Sequence, residues 1–133
     1  MNRVFADTSY YVALMSEHDQ HHADALAHSQ AFYGEIITTD FVLVEVGNWL
    51  SRTADRPAFL RLLESLRADP QTTVIAATRD LFDAGRSLFA RRMDKDWSLT
   101  DCISFWAMRH HGLTDVLTAD HHFEQAGFRV LLR

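Results

Sequence analysis

Asn2-Arg3-Val4-Phe5-Ala6-Asp7-Thr8-Ser9 opens the chain with a short, β-prone run that ends on an acid and two hydroxyl residues. Asp, Thr and Ser side chains accept hydrogen bonds from the free N–H groups of a helix start, so the stretch reads as a strand passing directly into a helix. The alternation recurs downstream. A helix is expected over 19–34, led by Asp19 and stopped by Gly34, then a β-branched strand over 35–39. Asp40 introduces a helix over 41–54, with Gly47 inside it where a close neighbour needs room. Pro57 stands at the start of the next helix, whose stripe Phe59, Leu60, Leu62, Leu63 and Leu66 ends at Asp69-Pro70. A strand over 72–76, a helix capped by Thr78 and a polar loop over 91–96 follow. Ser98 and Asp101 match a capping box ahead of a helix stopped by Gly112. Strand 115–118, a short helix over 121–125 and strand 128–132 complete the chain.

Short strands alternating with helices of 10–15 residues imply parallel strands joined by right-handed crossovers. The expected class is α/β: an α/β/α sandwich with a central, mostly parallel sheet covered by helices on both faces. The 133 residues, 47% hydrophobic and 23% charged, fit one domain over 1–133. The longest apolar run is the six residues from Tyr10 to Met15, against roughly 20 for a membrane span. No leader pattern precedes it, and the single Cys102 makes no internal disulfide, so a cytoplasmic address is expected. A net charge of −5 means that the molecule as a whole does not attract a polyanion. Any nucleic-acid role needs a local device.

In open α/β sheets the ligand site lies beyond the carboxyl ends of the strands. Asp7 and Asp120 each follow a strand there. Glu45 lies about one turn into the helix after the second strand, inside the apolar run 41–46, where a charge is costly unless it is used. Asp101 stands in the first turn of its helix, facing the same rim. Two readings stay open for these acids. Asp7, Asp101 and Asp120 are all placed to cap helices, and Glu45 shares helical spacing with Asn48 and Arg52 on a possible solvent face. Taken together, four converging carboxylates call for a cation, and a hard ion such as Mg²⁺ or Mn²⁺ suits an all-oxygen site. His18, His21 and His22 have the spacing of a surface zinc site, or of exposed helix histidines. His121, beside Asp120, is a candidate for substrate contact.

The segments Phe5-Ala6-Asp7-Thr8-Ser9, Thr39-Asp40-Phe41-Val42-Leu43-Val44-Glu45-Val46, Trp97-Ser98-Leu99-Thr100-Asp101-Cys102 and Leu117-Thr118-Ala119-Asp120-His121-His122-Phe123 resemble, in order and spacing, the motifs of PIN-domain ribonucleases. The nearest likeness is to VapC-type toxins of bacterial toxin–antitoxin pairs, and it covers nearly the whole chain. The resemblance implies Mg²⁺- or Mn²⁺-dependent RNA cleavage with Asp7, Glu45, Asp101 and Asp120 as the acidic site, a small antitoxin partner, and a homodimer. Thr8 or Ser9 resembles the hydroxyl that follows the family's first acid, and Thr118 the one before its last. Asp96 is a candidate outer carboxylate, or plain solvated surface.

Twelve of the thirteen basic residues are Arg, and Arg91, Arg92 and Lys95 cluster ahead of Asp101. They are the candidate contacts to an RNA backbone, with a solvated loop as the alternative. In the expected mechanism Asp7, Asp101 and Asp120 hold metal directly or through water and Glu45 activates the attacking water, leaving 5′-phosphate and 3′-OH ends. A partner peptide is expected to bury apolar surface near Tyr10, Tyr11, Leu14 and the Trp49-Leu50 region and to send a basic side chain toward the acids. A receiver-type phosphoacceptor domain and a binding module without activity are the alternatives. A receiver wants an acid beside Asp7 and a lysine after a late strand, whereas Ala6 and Thr8 flank Asp7 and the one lysine, Lys95, is in a loop. A D-x-D phosphatase is disfavoured by Ser9.

Overall fold

Val4, Phe5 and Ala6 are all buried, the pattern of a strand covered on both faces rather than one that alternates between core and solvent. In the computed structural model, which describes residues 2–132, this strand, β1 (Arg3–Ala6), is the centre of a five-stranded sheet. Met1 and Arg133, at the ends of the expected span 1–133, lie outside the described residues. On one side β1 pairs with β2 (Glu35–Thr39), which pairs with β3 (Thr72–Ile75); on the other it pairs with β4 (Asp115–Leu117), which pairs with β5 (Arg129–Val130). Every pairing is parallel and the order is β3-β2-β1-β4-β5.

Helices α1 (Thr8–Met15) and α2 (His22–Ala31) connect β1 to β2, α3 (Asp40–Trp49) and α4 (Arg56–Ala68) connect β2 to β3, and α5 (Arg79–Arg91) and α6 (Leu99–His110) connect β3 to β4. Helix α7 (His121–Gln125) leads into β5. The chain first builds outward on one side of β1 and then returns to add β4 on the other. The gap between β1 and β4 is therefore the topological switch point, where crossovers diverge and leave a crevice. A receiver-type sheet, in contrast, has the order 2-1-3-4-5.

Several element ends differ from expectation for local reasons. Residues 16–21 form successive turns, with Asp19 N donating to Ser16 O and His22 N to Asp19 O, so α2 starts at His22 and not at Asp19. Helix α3 stops at Trp49, because a turn in which Arg52 O accepts from Asp55 N and Arg56 N takes over the backbone bonds. The last strand pairs only over Arg129–Val130. Gly47 has the tight neighbour its position suggested: a Cβ there would lie 3.0 Å from the Phe59 ring.

Phe105 anchors the β4 side of the core, with its ring edge-on to Trp97 at 5.0 Å and to Phe123 at 4.8 Å. This cluster ties α6 to α7 and to the segment that leads into α6. No helix among the described residues is long and apolar enough to cross a membrane.

Candidate active site

Asp7 leaves β1 at the switch point, and its N–H donates to Leu117 O at 3.1 Å, so the loop stays zipped to β4 past the last paired residue. It occupies the N-cap position of α1 yet makes no side-chain capping bond. Its carboxylate turns instead toward β4, where Thr118 Oγ1 donates to Oδ2 at 2.8 Å. Ser9 Oγ lies 2.8 Å from Thr118 Oγ1. Because the Thr118 hydrogen is committed to Asp7, Ser9 donates to Thr118 and a two-hydroxyl relay ends on the carboxylate. The backbone N–H groups of Ala119 and Asp120 donate to Ser9 Oγ and Thr118 Oγ1, both at 3.1 Å, which fixes the relay.

Asp101 serves as cap and as site residue at once. Asp101 N donates to Ser98 Oγ at 3.0 Å and Ser98 N to Asp101 Oδ2 at 3.3 Å, completing the expected capping box. The same Oδ2 lies 3.3 Å from His122 Nδ1. Asp120 caps α7 by accepting from His122 N at 2.9 Å, and its Oδ1 is 3.4 Å from His122 Nδ1. Capping and convergence, posed as alternatives, are both true of these two acids. Glu45 is half-buried and accepts a short hydrogen bond from Thr8 Oγ1, so its solvent-face alternative falls away.

Asp7, Glu45, Asp101 and Asp120 line a single cavity of about 390 Å³, together with Thr8, Ser9, Ser98 and His122. The lining includes no Lys or Arg. Burial, with the Asp101 and Asp120 charges in a smaller role, pushes the Asp7 carboxyl up to about 7 against the pull of the Thr118 hydrogen bond. Asp101 is also raised, first by burial and then by the Asp120 charge, while Ser98 and His122 hold it back. An anionic cavity without lysine or arginine fits a hard divalent cation by donor chemistry as well as by charge. Among the described residues the one trio with ligand atoms within 4.8 Å of one another is Asp120, His121 and His122. Asp101 joins that group through His122, whose Nδ1 it shares with Asp120.

Some expected residues lie elsewhere. His121 is largely exposed, and it is His122 that turns into the cavity between two acids. Asp96 is exposed and is not among the lining residues. Arg92 is held by Asp94 at 2.9 and 3.0 Å and lies over the Trp97 ring, Lys95 is half-buried, and Arg91 is exposed. The histidines 18, 21 and 22 do not gather: His22 Nδ1 bonds Ala13 O at 2.8 Å. Sequence reasoning missed Asp19, Trp49 and His122 in the lining.

Residues 4–129 match the PIN domain family, and the chain belongs to it. Over 125 residues it is 27% identical to the 23S rRNA-specific endonuclease VapC20 of Mycobacterium tuberculosis, covering 94% of this chain and 95% of that one. The crystal structure of VapC20, a sarcin–ricin-loop-cleaving toxin, superposes with a TM-score of 0.88 at 25% identity over 98% of this chain and 99% of that one. VapBC2 from Rickettsia felis, bound to a DNA fragment from its promoter, matches with a TM-score of 0.67 at 10% identity, covering 97% of each chain.

Proposed function

We propose that this PIN-domain protein is the endoribonuclease toxin of a toxin–antitoxin pair, cutting RNA phosphodiesters with a metal-activated water. The observation that carries the reading is the cavity itself: five carboxylates, the four expected ones and Asp19, from five separated segments, with no lysine or arginine to neutralise them. Asp7, Asp101 and Asp120 would hold Mg²⁺ or Mn²⁺. Such a cation, when bound, orients the scissile phosphate, makes water a nucleophile near neutral pH and offsets charge growing on the phosphate oxygens.

The remaining groups set positions and protons. Thr118 and Ser9 hold the Asp7 carboxylate at one angle, and His122 fixes Asp101 against Asp120. Glu45, oriented by Thr8, accepts the proton of the attacking water. Attack by water and not by the ribose 2′-OH leaves a 5′-phosphate and a 3′-OH. Exposed Arg91 is the best-placed of the three basic candidates to meet the RNA backbone.

The likeness to VapC20 makes 23S ribosomal RNA the first substrate to test, ahead of tRNA and mRNA, in the cytoplasm where these RNAs reside. An antitoxin is the proposed partner. Tyr10, Tyr11 and Leu50 belong to the core and offer little area to such a peptide, whereas Leu14, Met15 and the exposed Tyr33 line a separate groove of about 840 Å³ with room for its apolar side chains. Val44, Leu60, Phe89 and Met93 remain exposed and offer apolar area to a second copy, consistent with a homodimer. Purified protein incubated with ribosomes in Mg²⁺ or Mn²⁺ should cut 23S rRNA, and Asp7→Asn, Asp101→Asn or EDTA should abolish the cut. Cleavage that survives EDTA or either substitution would overturn the proposal.

A further inference from the structure

Trp49 is 69% exposed, while Trp97 is buried and Trp106 half-buried. It lies four residues beyond Glu45 on α3, so the two side chains share one face about one helical turn apart. The indole borders two adjoining hollows: the acid-lined cavity and a second one of about 500 Å³ that also takes in Glu17, Arg52 and Asp55. Val12, Asp19 and Trp49 line both. An apolar wall, a carboxylate and a large flat ring thus stand where the two hollows meet.

The charge of this junction selects what it can take from RNA. Arg52 is paired with Asp55 at 3.2 Å, so the second hollow sets Glu17 and Asp19 against a single histidine, His18, and does not draw phosphate in. A base carries no charge, and its face stacks on an aromatic ring regardless of sequence. Asp19 Oδ1 accepts from His21 N at 2.8 Å, and Oδ2 remains to accept from an exocyclic amino group, as carboxylates do from cytosine N4.

The geometry points to Val12, Asp19 and Trp49 as the seat of an unpaired base next to the scissile phosphate, stacked on the Trp49 indole with its amino edge toward Asp19. This inference rests on the RNA-cleaving reading and adds to it that the flanking nucleotide is unstacked and that adenine, cytosine or guanine is preferred to uracil. A phosphodiester that reaches the four acids has to lay a neighbouring nucleotide along the cavity wall, which is what favours RNA over a protein segment at this ring.

The test is binding to catalytically silent Asp7→Asn protein, followed by anisotropy of labelled RNA: a hairpin with the sarcin–ricin loop, its abasic variants at the nucleotides flanking the cut, and oligo-rA, -rC and -rU. Adding Trp49→Ala should weaken binding by roughly 5- to 100-fold. Trp49→Phe should stay within about threefold, and it should lose the quenching of tryptophan emission that RNA causes in the parent. On the abasic hairpin the parent and the Trp49→Ala protein should bind alike, and Asp19→Asn should shift preference toward rU. Unchanged RNA affinity in Trp49→Ala overturns the inference, and so does a loss confined to self-association or to capture of an antitoxin. If wild-type protein cuts none of these RNAs in Mn²⁺, the RNA-cleaving reading fails and this inference falls with it; cutting that ignores Trp49 overturns this inference alone.

Discussion

At Asp7, burial and two acidic neighbours place the folded-state pKa at about 7, above the ordinary 3.8. The folded protein therefore binds this proton more tightly than the unfolded chain. The stabilisation is complete below about pH 4 and is lost as pH rises through about 7, a contribution on the order of 4 kcal/mol. Asp7→Asn keeps the shape and an acceptor for Thr118 but removes the charge. In EDTA at pH 7.5 the variant should melt above wild type, with the gap closing toward pH 4 and shrinking when Mn²⁺ is added to both. Equal melting temperatures at pH 7.5 would mean that Asp7 is not held as an uncompensated buried acid. His122 gives a second test at this scale. Its ring bridges Asp101 and Asp120, so His122→Ala should lower metal affinity by about 10–100-fold, read by Mn²⁺ titration. An unchanged titration would mean that the two acids hold their places without the ring.

Among the elements, α5 packs tightly on α6 at Gly85, where a Cβ would come within 2.1 Å of Ile103 Cγ1 and 2.8 Å of its Cα. Backbone cannot yield as a side-chain tip can, so Gly85→Ala should destabilise by about 1–3 kcal/mol in thermal melts, with α6 and its Asp101 displaced. A neutral melt would show that the two helices have slack. The strand-to-acid junctions at Asp7 and Asp120 were legible in the sequence because strand, acid and cap are neighbours along the chain. Asp101 was legible through its capping box. His122 was not, since which of two adjacent histidines faces inward depends on how the short α7 sits on Phe123. Asp19 read as a helix cap because nothing local announces the turns at 16–21 that bring it to the cavity. The early end of α3 at Trp49 was hidden likewise, for residues 50–55 contain neither glycine nor proline.

For the whole molecule, a net charge of −5 would leave a cation held by the acid cavity, and not a basic surface, to attract RNA. Affinity should therefore fall only gently with salt. Arg91→Ala should reduce the salt slope by about 1, while Arg92→Ala should change it little, because Asp94 already compensates that charge. Equal effects of the two substitutions would place RNA along the loop rather than at Arg91. Hydrolysis by an activated water inside the acid cavity is read most directly from the chemistry of the ends made from 23S rRNA in Mn²⁺. Wild-type protein should leave 5′-phosphate and 3′-OH ends, and Asp7→Asn protein should not cut. Ends carrying a 2′,3′-cyclic phosphate would contradict attack by water, because they require the ribose 2′-OH as the attacking group.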